Sequence, residues 1–109
     1  MKLNNYMEGK TKIIEVDTVR IDASNSGEFK EKMSELTKSQ DAIIDFKHLE
    51  FIDSSGLSAL VYLHKQSIND KTELRLANLS PKILDIIRTT GLTQILQIYP
   101  DIESAKKDM

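Results

Sequence analysis

Phe51-Ile52-Asp53-Ser54-Ser55-Gly56-Leu57 joins two differently patterned segments. An apolar run (Ala42, Ile43, Ile44, Phe46) precedes it, and an amphipathic pattern follows from Leu57 to Ile68. The stretch reads as a strand-to-helix connection that places Asp-Ser-Ser-Gly at or near a helix N-terminus. Unpaired backbone N–H groups and the positive end of the helix dipole favour acceptor oxygens and anions there. A hydroxyl in that position has two available roles. One is N-capping, worth about 1 kcal/mol. The other is phosphorylation, with the helix end holding the added dianion. Residue chemistry alone favours the cap.

Outward from this stretch, strand and helix patterns alternate. Leu3 to Glu8 reads as a first strand turned at Gly9-Lys10, and Thr11 to Val16 as a second, rich in β-branched residues. Asn25 with Glu28 three residues later has the spacing of a capping box. In the helix it opens, Phe29, Met33 and Leu36 share one face. Ala42 to Phe46 is a near-continuous apolar run, as expected of a buried central strand. The next helix carries Leu57, Leu60, Val61, His64 and Ile68 on one stripe, widened by Leu63 and stopped at Asn69-Asp70-Lys71. Leu74, Leu76 and Leu79, alternating with Arg75 and Ala77, read as another strand. Pro81 suits the first turn of a third helix, which contains Ile83, Leu84, Ile86 and Ile87 and stops at Gly91. Core packing is the better account of those four residues than a membrane or partner anchor. Ile95 to Tyr99 gives a last strand, and Asp101 to Lys107 a short polar helix. The expected fold is a single α/β domain over residues 1–109, core about 3–102, with a small mixed sheet and right-handed crossovers.

Composition narrows the function classes. Fifteen basic against seventeen acidic residues give a net charge of −2, which offers no basic footprint for nucleic acid. With no cysteine, disulfides and thiolate chemistry are excluded. The N-terminus has no signal-peptide pattern, and no apolar run approaches the ~20 residues that span a bilayer. A cytoplasmic location without membrane insertion is the expectation. No catalytic site is legible. His48 sits in a polar connection, and His64 lies on the order of 15 Å along the helix axis from Ser54, beyond nucleophile–base reach. Gly-x-Ser-x-Gly, a Walker-type loop and metal-ligand spacing are all absent, so neither cofactor nor metal is expected.

Phe51-Ile52-Asp53-Ser54-Ser55-Gly56-Leu57-Ser58-Ala59-Leu60 resembles the signature of STAS domains, in particular the bacterial anti-sigma-factor antagonists. Arg20-Ile21-Asp22-Ala23 resembles the family's element before the first helix, and Leu79-Ser80-Pro81 through Gly91-Leu92 its third-helix segment. The likeness runs from about Leu3 to Ile102. One departure is Val19-Arg20-Ile21-Asp22 where the family often has Gly-Glu-Leu-Asp. The resemblance implies a non-enzymatic phosphoswitch in partner switching and regulation of transcription. Ser54, the first hydroxyl after the aspartate, is then the phosphoacceptor, with Ser55 as runner-up. The implied partners are an anti-sigma factor with ATP-dependent serine kinase activity and a metal-dependent serine phosphatase. The expected binding face surrounds the start of the second helix, at Asp53, Ser54, Ser55, Gly56 and Leu57. It is lined by Asp22, Ala23, Ser24, Asn25 and Ser26, whose connection leaves the preceding strand at the same sheet end if the crossovers are regular. A second reading is a STAS-type structural subunit of a transport ATPase, or a signalling scaffold, without phosphoregulation.

Overall fold

The structure, a computed structural model, describes all 109 residues. Two antiparallel strands, β1 (Lys2–Glu8) and β2 (Thr11–Asp17), open the chain across the turn at Gly9-Lys10. A short β3 (Arg20–Ile21) leads into helix α1 (Ser26–Thr37). Strand β4 (Ala42–Asp45), short β5 (Phe51–Ile52) and the long helix α2 (Ser54–Asp70) follow. Next come β6 (Leu74–Ala77), α3 (Pro81–Thr89), a 3₁₀ turn at Leu92–Gln94, β7 (Gln97–Tyr99) and α4 (Ile102–Ala105).

The five-stranded sheet has the order β1-β2-β4-β6-β7, with every pair parallel except β1–β2. β4 is central as the apolar run required, and all four of its residues are buried. One face of the sheet packs against the helices in a core built on Ile14, Val16, Phe29, Met33, Ile44, Leu60, Leu63, Leu76, Ile83 and Ile87. Gln66 ties α2 to α1: its amide donates to the Ser34 carbonyl at 3.0 Å and to Thr37 Oγ1 at 3.3 Å. On the opposite face, Ile13, Ile43 and Ala77 lie under Ala105 of α4.

The structure corrects three expectations. Asn25 and Glu28 do not form a capping box. Asn25 precedes α1, but its side chain closes the β3–α1 loop instead, accepting from the Asp22 N–H at 2.9 Å and donating to the Arg20 carbonyl at 2.8 Å. Glu28 pairs with the N-terminal ammonium at 2.8 Å and Lys32 at 3.0 Å. The buried stripe of α2 is also rotated: Gly56, Leu57, Ala59, Leu60, Leu63 and Ser67 are buried, whereas Ile68 is 63% exposed and Val61 and His64 are half-buried. Finally, the last strand starts at Gln97 rather than Ile95, because Leu92–Gln94 forms a 3₁₀ turn whose carbonyl at Leu92 accepts the N–H groups of Ile95 and Leu96.

Candidate functional site

A two-stranded unit that the sequence reading missed builds the region around Asp53-Ser54-Ser55. β3 and β5 pair in parallel, Arg20 with Phe51 and Ile21 with Ile52. The pairing delivers the chain into α1 and α2 side by side. Each strand has only two residues, too few for a periodic signal. Arg20 lies over the Phe51 ring, 4.3 Å from its centroid.

Asp53 is the N-cap of α2. Its backbone is extended (φ −107°, ψ −173°), and Oδ1 accepts the N–H groups of Ser55 at 2.9 Å and Gly56 at 3.1 Å. The Ser55 hydroxyl donates to the same oxygen at 2.5 Å. Oδ2 reaches across to the other loop and accepts the Ala23 N–H at 3.1 Å. One carboxylate thus caps the helix and clamps two segments thirty residues apart in sequence. These bonds hold the Asp53 carboxyl below the usual aspartate range, the Ser55 hydroxyl contributing most.

The two serines are in different situations. Ser55 is half-buried and committed to Asp53. Ser54, the first residue of α2, is exposed, and its hydroxyl makes no hydrogen bond. It stands at the positive end of the α2 dipole, which favours negative charge, while the N–H groups of Ser55 and Gly56 are already taken by Asp53.

The facing loop is also self-bonded. Asp22 Oδ1 accepts the Ser24 N–H at 3.0 Å and the Ser24 hydroxyl at 2.5 Å. These bonds, the hydroxyl's first, lower the Asp22 pKa, with Arg20 Nε adding a contact at 3.4 Å. Ala23 and Ser24 are exposed, while Asp22, Asn25 and Ser26 are half-buried. Beneath both loops lie Gly56 and Leu57, which are buried. A Cβ on Gly56 would sit 2.6 Å from Ile52 Cγ1 and 2.9 Å from Ile21 Cγ2, so glycine lets α2 approach the β3–β5 pair.

The STAS domain model matches residues 7–105. The chain belongs to the STAS domain family. Solved structures with this STAS fold include a candidate anti-sigma factor antagonist from Thermotoga maritima. It is 18% identical with a TM-score of 0.85, over 97% of this chain and 92% of that one. SpoIIAA, a Bacillus cell-fate determinant and anti-sigma factor antagonist, has been solved in two forms, each 19% identical to this chain. The unphosphorylated form gives a TM-score of 0.75 over 97% of this chain and 95% of that one; the phosphorylated form gives 0.69 over 99% and 100%. The fold also occurs within the murine anion transporter Slc26a9 (23% identity, TM-score 0.77), covering 88% of this chain but 17% of the transporter. At these identities the likeness speaks for the fold, and function must be argued from the site.

One feature of the STAS domain's site had no sequence signal. A groove of about 480 Å³ runs from Ser54 along α2, past Leu57, Val61 and Tyr62 to Lys65, and is closed by Thr90 and Leu92 beyond α3. Thr90 and Leu92 are over thirty residues away from Ser54, and no local pattern links them to it. Lys30 lies above the Tyr62 ring at 4.9 Å, tying the exposed flank of α1 to α2. Among the helices none is long and apolar enough to cross a membrane.

Proposed function

We propose that this STAS domain is an anti-sigma-factor antagonist that works as a phosphoswitch at Ser54. Unphosphorylated, it binds an anti-sigma factor that is also a serine kinase; phosphorylated, it releases that partner until a metal-dependent phosphatase restores the hydroxyl. It acts by binding and not by catalysis, in the cytoplasm, and sets sigma-factor availability through partner switching. The observation that carries the assignment is the contrast between the serines: the Ser54 hydroxyl is exposed and unbonded, whereas that of Ser55 is held by Asp53.

The physical basis is local charge. Phosphate adds about 1.5 to 2 negative charges at pH 7 and three strong acceptor oxygens. The adjacent Asp53 carboxylate already carries charge, so modification creates a dense anionic point at the head of α2. The helix dipole tolerates that charge, and the fold survives. A partner surface shaped around a neutral hydroxyl, and presenting carboxylates, does not. Phosphorylation therefore vetoes binding without refolding the domain. The contact surface comprises the Asp22–Ser26 loop and Asp53–Ser55, resting on Gly56 and Leu57. The clamp from Asp53 to Ala23 supports treating the two segments as one surface.

Incubation of the purified chain with ATP and extract of its own cells tests the reading by intact mass and peptide mapping. A gain of one phosphate on Ser54, abolished in Ser54→Ala and retained in Ser55→Ala, is expected. Phosphate retained in Ser54→Ala and lost in Ser55→Ala transfers the role to Ser55. No modification of any variant, with partner binding unaffected by either change, rejects the switch in favour of the structural-subunit reading.

A further inference from the structure

Strand β1 is the longest unprotected edge of the sheet: it pairs with β2 on one side only, and six of its seven residues are exposed. Edge strands in soluble proteins are commonly blunted by central charges, prolines or bulges. β1 has none of these within Leu3-Asn4-Asn5-Tyr6-Met7, and its pairing with β2 runs without interruption from Lys2–Asp17 to Glu8–Thr11. Its charges lie at the ends, Lys2 and Glu8, and are opposite in sign.

The direction of its free backbone groups follows from the turn. Glu8 and Thr11 flank the two-residue connection Gly9-Lys10, with Gly9 at φ 63°. The closing pair of such a hairpin is hydrogen-bonded, and the pattern then alternates along the ladder. Lys2, Asn4, Tyr6 and Glu8 therefore bond to β2, while Leu3, Asn5 and Met7 direct their N–H and C=O groups outward. The Asn5 side chain donates to the Leu3 carbonyl at 3.3 Å, consistent with that carbonyl being free of β2.

We propose that β1 pairs antiparallel with β1 of a second copy of this chain, about a two-fold axis at Asn5, joining two sheets into one. In this register Leu3 faces Met7, Asn5 faces Asn5, and Met7 faces Leu3, so every outward backbone group meets its complement. Lys2 of each copy stands opposite Glu8 of the other in a non-hydrogen-bonded pair, where side chains approach most closely. Sliding the register by two residues either way loses a hydrogen-bonded pair and both charge pairs. Glu8 already receives Lys106 Nζ on Oε1 at 3.0 Å, and its Oε2 makes no hydrogen bond. The contact is isologous and closed, so it stops at the dimer. β1 carries none of the residues proposed for the Ser54 switch, so each dimer presents two such sites, and the inference is independent of that function.

Sedimentation velocity of the full chain over a concentration series tests this, with circular dichroism confirming that each variant is folded. The wild type is expected to shift from monomer to dimer with rising concentration. Lys2→Glu and Glu8→Lys alone set like charges opposite each other at both ends of the pair, and each is expected to remain monomeric. Mixed in equal amounts, the two variants form a pair in which both end positions of one chain are acidic and both of the other are basic. Opposite charges then face each other at either end again, and dimerisation is expected to return. Asn5→Pro, which removes the central donor at an edge that tolerates proline, is expected to abolish the dimer while leaving the fold intact. A wild type that stays monomeric throughout overturns the proposal and leaves the edge to a strand of another protein. A dimer that survives Asn5→Pro, or single variants that dimerise like the wild type, overturns the register and the edge alike.

Discussion

At the scale of single residues, Asp53 and Gly56 carry the local architecture of the site in opposite ways. Asp53 is needed for its charge. Its pKa is lowered in the fold, so its stabilising contribution is complete above the unfolded aspartate range, near ~3.9, and is lost as pH falls through the lower folded value. Asp53→Asn keeps the shape and removes the charge. The stability gap between wild type and variant, measured by urea unfolding, is expected to be largest at neutral pH and to close in acid; a gap that is constant across the titration would contradict the assignment. Glu15, Asp22, Glu28 and Asp101 are shifted in the same direction, so the wild type's own acid transition is a collective one. Gly56 is needed for its lack of a side chain. Alanine gains up to about 1 kcal/mol over glycine in a helix interior, and less in the first turn, where Gly56 sits. Here the new Cβ meets the buried Ile52 side chain at 2.6 Å. Overlap of that size belongs toward the upper end of the about 1–3 kcal/mol typical of overpacking, so Gly56→Ala is expected to lose stability on balance in chemical denaturation. Ser55→Ala leaves the cap itself in place, because the N–H groups of Ser55 and Gly56 still reach Asp53.

At the scale of elements, α2 separates what periodicity reveals from what it hides. Large apolar side chains announced the helix, and Leu57, Leu60 and Leu63 are indeed buried. The axis of the buried face is nevertheless set by Gly56, Ala59 and Ser67, small residues that carry little hydrophobic signal and allow close approach. Ile68 looked equivalent to Leu60 in sequence and is exposed. Leu60→Ala is therefore expected to cost about 2–5 kcal/mol in denaturant unfolding, and Ile68→Ala to stay within about 0.5 kcal/mol of wild type. Equal losses at the two positions would restore the original stripe. Elements with long periodic runs, β2, β4, α1 and α3, were legible for the same reason that Leu60 was. Two-residue β3 and β5 were not: their pairing arises from tertiary placement, with Ile21 and Ile52 meeting against Gly56 of α2. The Asp-Ser-Ser-Gly segment could be read because its chemistry is local. The groove wall at Thr90 and Leu92 could not, because only the folded chain brings it there.

At the scale of the whole molecule, the back face of the sheet depends on a residue that alternation marks as polar. Arg75 lies in β6, yet it is 7% exposed, enclosed by the C-terminal segment. Its Nη1 donates to the carbonyls of Ala105 at 2.9 Å and Lys107 at 2.6 Å, and its Nη2 to Glu73 at 3.0 Å. The guanidinium also lies 5.1 Å from the Tyr99 ring centroid. A planar fork of donors thus pins α4 over Ile43 and Ala77, where a small apolar patch would be too weak to order four residues of helix on its own. Nε is buried without a partner, so the arrangement has one unmet cost and depends on the remaining bonds. Arg75→Ala leaves two carbonyls without their donor and is expected to cost about 1–3 kcal/mol. Its more specific signature is spatial: amide exchange should accelerate from Ala105 to Met109, while Asp53–Leu57, on the helix side of the sheet, keeps its relative protection. Arg75→Lys retains the charge but cannot reproduce the fork, and should recover only part of the protection. If exchange at the C-terminal segment is unchanged in Arg75→Ala, then packing of Ile102 and Met109 holds α4, and the arginine is not its anchor.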